Sequence, residues 1–149
     1  MCGIIGISSN KSVSANIINS LKKLEYRGYD SAGMATLSNG IITEVKSKGR
    51  VDNLEKNFDL KNLSGNIGIG HVRWATHGVP NSINAHPHSS DNASVVHNGI
   101  IENSTLLKKH LVSKGHIFKS QTDTEVIAHL ITENLKTLEL QEAITKTLK

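Results

Sequence analysis

With 149 residues, 37% of them apolar and 20% charged, the chain is long enough to enclose one core of its own, and its single cysteine excludes an internal disulfide framework and fits a reducing, cytoplasmic setting. Apolar runs such as GIIGI are far too short to span a bilayer, and no basic stretch leads into an apolar one, so neither a membrane segment nor a signal peptide is expected. The formal charge of +4 comes from scattered lysines, of which only Lys22–Lys23 and Lys108–Lys109 are adjacent; this is the pattern of solvated faces and speaks against a nucleic-acid-binding stripe.

GIIGIS, residues 3–8, reads as a short apolar strand. Ser12 or Ser14 then caps a helix whose Val13, Ile17, Ile18, Leu21 and Leu24 fall on one face. After the turn YRGYDS, the segments AGMATLS and IITEVKS flank Asn39-Gly40, a pair suited to the positive φ angles of a two-residue hairpin, so an antiparallel pair is expected. Val51, Leu54 and Phe58 suggest a short amphipathic helix, IGIGHVRW a buried strand, and ASVVH a further strand ending at Asn98-Gly99. Helices follow near 104–114, closed by Gly115, and from about Thr124 to Leu135. The last stretch, LELQEAITKTLK, is helical in composition, and no strand follows to receive it.

The polar residues gather at strand ends and turns, where chemistry is usually mounted on a rigid scaffold. Cys2 stands directly behind the initiator Met1 and before a small residue. If Met1 is removed, one residue carries both a thiol nucleophile and a free α-amino group to serve as its base. Five of the eight histidines lie between His71 and His97. They invite a zinc reading, but His86 and His88 alternate along an extended Pro-containing segment, and no carboxylate or second Cys stands at ligand spacing, so no metal is expected. Asn98-Gly99 serves equally as a hairpin turn or, through a side-chain amide and an unhindered backbone N–H, as a cradle for a developing oxyanion. Thr122 and Glu125 match a capping box, which leaves Asp123 spare to hold a ligand's ammonium group. Arg73, at a strand end beside Trp74, is either a salt-bridge partner or a planar fork for a substrate carboxylate.

Taken together, MCGIIG, EYRGYDSAG, GHVRWATHG, NAHPH, VVHNGIIEN and TDTEVIAHL resemble, in order and spacing across nearly the whole chain, the glutaminase domain of the class II glutamine amidotransferases, which have the N-terminal-nucleophile hydrolase fold. RGYDSAG, RWATHG and NAHPH resemble the glutamine:fructose-6-phosphate amidotransferase branch more than amidophosphoribosyltransferase or asparagine synthetase. The resemblance implies an α+β fold, a four-layer αββα sandwich. It implies hydrolysis of L-glutamine to glutamate and ammonia through a thioester on Cys2, with no cofactor. Asn98 and Gly99 are then the oxyanion donors. Arg73 would grip the α-carboxylate of glutamine and Asp123 its α-ammonium. Trp74, Thr76 and His77 match a loop over the glutamine, and Arg27 would organise the site.

In that family the domain continues through further strands and into a sugar isomerase module that uses the ammonia to make aminosugar from fructose-6-phosphate, the whole enzyme being a homo-oligomer. Residues 1–149 are therefore expected to form a partial glutaminase domain, incomplete at the C-terminus, with open sheet edges and exposed apolar faces. Two readings remain at this point: a glutaminase, or a glutamine-binding fragment without turnover because the nucleophile is badly positioned or Met1 is retained.

Overall fold

The computed structural model describes residues 1–60, 63–74 and 78–149. Strand β1 (Gly3–Ser8) leads into helix α1 (Ser14–Leu24), a 3-10 turn (Glu25–Arg27), and the hairpin β2 (Ser31–Ser38) and β3 (Ile41–Lys48). Asn39 (φ 50°) and Gly40 (φ 78°) make the hairpin turn, as the sequence requires. Helix α2 (Asp52–Asn57) and strand β4 (Ile67–Arg73) follow, then the short hairpin β5 (His88–Ser90) and β6 (Ala93–Val95), and helices α3 (Ser104–Ser113), α4 (Glu125–Asn134) and α5 (Leu140–Thr147).

All pairings are antiparallel, with the large sheet in the order β1-β4-β2-β3. Because side chains alternate across a strand, the register sorts the residues into two faces. Ala32, Met34 and Val72 point to one face, where they join Val13, Ile17, Ile18 and Leu21 of α1 with Val51 and Leu54 in the main core. Each large side chain sealed there stabilises the fold by roughly 1.5–3 kcal/mol of hydrophobic burial.

The opposite face carries Gly33 opposite His71 and Ser31 opposite Arg73. The segment entering β5 lies directly on it: a Cβ on Gly33 would come 2.2 Å from the His86 carbonyl oxygen, and Lys46 Nζ donates to the Pro87 carbonyl at 3.1 Å. Helix α4 covers the small sheet, with α3 and α5 against it. The layers therefore run helix, sheet, sheet, helix, an α+β sandwich.

Three local expectations are corrected. Ser14 does not cap α1: Val13 occupies the cap position without a side-chain bond, and Ser14 Oγ instead donates to the Leu63 carbonyl. Thr122 and Glu125 form no capping box, since α4 is entered through Thr124. Thr122 Oγ1 is taken by His88 Nε2 at 2.8 Å, and the Glu125 carboxylate accepts the N–H groups of Lys119 and Ser120. Neither Asn98 nor Gly99 has a positive φ, so this pair is not a hairpin turn. Among the described residues, no helix is long and apolar enough to cross a membrane.

Candidate active site

The mouth of the sandwich is built at the ends of β1 and β4. Since Gly3 pairs with Val72, continuing the register sets Cys2 beside Arg73. The Trp74 backbone N–H points at Cys2 Sγ at 3.3 Å, and the thiol lies 3.6 Å from the Trp74 carbonyl oxygen. From the 3-10 turn, Arg27 Nε donates to the Cys2 carbonyl at 3.0 Å. The turn reaches this position because residue 28 is a glycine: a Cβ there would stand 2.7 Å from both the carbonyl carbon and oxygen of Arg73. The Asp30 N–H then donates to that same Arg73 oxygen.

A cavity of about 470 Å³ opens at this mouth, within the range of small-molecule sites. Cys2, Arg27, Arg73, Trp74, Asn98, Gly99 and Asp123 all line it. Seven of the nine residues singled out from sequence thus meet around one space. The other two, Thr76 and His77, lie outside the described residues. Arg73 is buried and Trp74 half exposed, with the indole edge-on to Tyr29 at 5.7 Å.

On the opposite wall, Asn98 Oδ1 is bonded to His71 Nε2 at 2.9 Å. The His97 ring sits under Gly99, where a Cβ would come 2.6 Å from Nε2, and its Nδ1 is 3.2 Å from Thr124 Oγ1. Asp123 Oδ2 accepts the Ile101 N–H at 2.6 Å, which ties the start of α4 to the segment after Gly99.

Three histidines are packed together here, His86 in the cavity lining and His71 and His88 beside it. His71 stacks on His86 with centroids 4.3 Å apart, and His88 meets His86 edge-on at 4.5 Å. All three are buried. Burial pushes His71 down to about 4, against the opposing hydrogen bond to Asn98, and pushes His88 down to about 3. His86 is driven lower still by burial and by the neighbouring histidines. The trio is therefore neutral at neutral pH. For Glu125 burial acts upward, but the His129 ring 3.5 Å away and the hydrogen bonds from Lys119 and Ser120 outweigh it and hold the carboxyl down at about 2.

The local reading of the sequence missed His71, His86 and His97 as members of the site. For His71 a signal existed: strict alternation along GHVR puts it on the same strand face as Arg73.

This sandwich, with a cysteine at the edge of its cavity, is the fold of the N-terminal-nucleophile amidotransferases. The family described as glutamine amidotransferase domain matches residues 58–139, more than half of the chain, and the chain belongs to that family. It is 53% identical over 150 residues to a glutamine–fructose-6-phosphate aminotransferase (isomerizing) of Mesorhizobium japonicum, covering 100% of this chain and 25% of that protein. To the Clostridium acetobutylicum protein of the same name it is 59% identical over 133 residues, covering 88% of this chain and 22% of that one. The chain thus spans about a quarter of the length of the relatives it matches. Among solved structures, the glutamine phosphoribosylpyrophosphate amidotransferase of B. subtilis, complexed with ADP and GMP, superposes with a TM-score of 0.82 at 31% identity, over 99% of this chain and 32% of that one.

Proposed function

We propose that this domain hydrolyses L-glutamine to glutamate and ammonia through a thioester on Cys2, and that in the full-length protein the ammonia serves glucosamine-6-phosphate synthesis from fructose-6-phosphate on a sugar isomerase domain. One observation carries the reading: residues 2, 73, 98, 99 and 123, far apart in sequence, line one cavity.

In the proposed reaction, removal of Met1 leaves the Cys2 thiol beside its own α-amine, whose pKa near ~8 suits proton transfer around neutrality. The amine takes the thiol proton as sulfur attacks the glutamine side-chain carbonyl. The tetrahedral oxyanion is held by the Asn98 side-chain N–H and the Gly99 backbone N–H. The amine then returns the proton to the departing nitrogen, ammonia leaves, and a thioester remains. Water, deprotonated by the same amine, attacks the thioester to release glutamate and restore the thiol. Arg73 binds the α-carboxylate and Asp123 the α-ammonium, which selects a free amino acid over a peptide, while Trp74 with Thr76 and His77 covers the bound glutamine. Arg27 organises the nucleophile. We further infer a cytoplasmic, homo-oligomeric full-length enzyme that needs no cofactor.

Met1 favours a second reading in any form of the chain that keeps it. It precedes Cys2 and lines the same cavity, and with its peptide bond intact there is no free Cys2 amine, so glutamine would bind without turnover. Intact mass after treatment with 6-diazo-5-oxo-norleucine tests both. A single adduct on Cys2 in a chain lacking Met1, suppressed by excess glutamine, supports the hydrolase. An exposed N-terminal cysteine that takes no adduct would remove it.

A further inference from the structure

We propose that His71 is a positioning residue for the oxyanion donor: its Nε2–H grips Asn98 Oδ1 and so turns the Asn98 amide N–H toward the cavity. The inference rests on the reading of Asn98 as a donor to the tetrahedral intermediate.

An asparagine side chain on a cavity wall presents either end of its amide, and only the nitrogen end stabilises an oxyanion. What selects the end is the group behind it. Here that group is a histidine ring at 2.9 Å from Asn98 Oδ1. An amide oxygen only accepts, so Nε2 must carry the hydrogen. Burial keeps His71 neutral near pH 7, with one such hydrogen. Its Nδ1 is buried without a hydrogen-bond partner among the described residues, and with the ring's one hydrogen on Nε2 the lone pair lies there.

The ring itself has little room to move. It is 0% exposed, projects from β4 onto the face shared with Gly33, and is stacked 23° from parallel on His86. His86 is held in turn by the segment laid over Gly33. The tautomer and orientation of His71 are thus set by the sandwich, and they set the Asn98 amide before substrate arrives. Such preorganisation acts on the transition state rather than on ground-state binding.

The test measures kcat and KM for ammonia release by this chain, with near-ultraviolet circular dichroism as the folding control, for His71→Leu, His71→Gln, Asn98→Ala and the double variant His71→Leu/Asn98→Ala. His71→Gln keeps an N–H donor at similar reach. Expected are a kcat loss of about tenfold or more for His71→Leu with KM within about threefold, recovery of most of that rate in His71→Gln, and a double variant no slower than Asn98→Ala alone. Losses that multiply in the double variant, a loss that falls on KM, or a folded His71→Gln as slow as His71→Leu would overturn the proposal. If His71→Leu fails to fold, His71→Gln decides alone, near-normal kcat supporting the proposal and a deep loss removing it. No ammonia release by the unsubstituted chain, or full kcat in Asn98→Ala, would instead overturn the reading of the site on which it rests.

Discussion

Arg27 reaches across from the 3-10 turn to place its Nε–H 3.0 Å from the carbonyl oxygen of Cys2. The bond fixes the backbone of the residue that carries the thiol while leaving sulfur to meet the Trp74 N–H at 3.3 Å. A hydrogen bond from a charged donor contributes about 1.5–3 kcal/mol, or roughly one to two powers of ten if it is spent on nucleophile position. Arg27→Ala should therefore slow alkylation of Cys2 by a glutamine-like electrophile by about ten- to a hundredfold. Arg27→Lys should recover little, because an ammonium cannot reproduce the planar geometry at Nε. A labelling rate unchanged in Arg27→Ala would sink this role.

Gly28 makes that reach possible. A methyl group at this position would meet the carbonyl carbon and oxygen of Arg73 at 2.7 Å and the Trp74 nitrogen at 2.9 Å. These are backbone atoms at the end of a paired strand, so the turn rather than the strand must give way. Gly28→Ala should cost about 1–3 kcal/mol in urea unfolding, as overpacking does, and should slow alkylation of Cys2 by drawing Arg27 away from the Cys2 carbonyl. Unfolding midpoints equal to those of the unsubstituted chain would show that the turn has slack.

How far the sequence foretells this structure depends on the range over which each feature is decided. The face of α1 and the Asn39-Gly40 turn are set by residues a few positions apart, and both appear where periodicity and turn chemistry place them. The capping box was equally legible and is absent, because His88, 34 positions away, takes the Thr122 hydroxyl. Backbone N–H groups of the loop before α4 likewise take Glu125. Asn98-Gly99 is the converse case: its local pattern allows a hairpin, but His71 and His97 draw the pair into the cavity wall. The histidine stack was not legible, since it exists only once β4 and the segment before β5 lie on each other. Cys2, Arg73 and Asp123 stand out locally, by a place behind Met1, at a strand end and beside a cap, but local pattern leaves a structural reading open for Arg73 and Asp123, and only the family resemblance assigns all three to one substrate.

On the proposed assignment, Asp123 has two duties, since Oδ2 accepts the Ile101 N–H at 2.6 Å while the carboxylate faces the cavity. Asp123→Asn keeps an acceptor for Ile101 and removes the charge. Its KM for glutamine should rise by about ten- to a hundredfold, the worth of one charge-assisted hydrogen bond, with a smaller change in kcat. The sharper comparison uses 4-carbamoylbutanoate, which is glutamine without its amino group. The unsubstituted chain should discriminate strongly against it and Asp123→Asn should not. Equal discrimination by both would move the ammonium site elsewhere.

The buried histidines predict a loss of stability on mild acidification. In the unfolded chain His71, His86 and His88 protonate near their ordinary value of 6.5, whereas in the fold burial holds His71 down at about 4, His88 at about 3 and His86 lower. Below pH 6.5 the unfolded state therefore binds protons that the folded state refuses, so unfolding becomes more favourable as pH falls. Each such proton contributes a slope of about 1.4 kcal/mol per pH unit within its window. Up to three of them acting together between pH 6 and 4 amount to a large fraction of the 5–15 kcal/mol typical of a domain. Glu125, held down at about 2, acts in the same sense but only in the lower window between its ordinary value and about 2. Urea midpoints at pH 7, 6 and 5 should fall steadily. His88→Gln, whose amide N–H can still reach the Thr122 hydroxyl, should flatten the fall by close to one proton's worth. A midpoint that holds constant from pH 7 to 5 would mean that the three rings are hydrated in solution, and the wall behind Asn98 would then lack the dry packing that fixes His71.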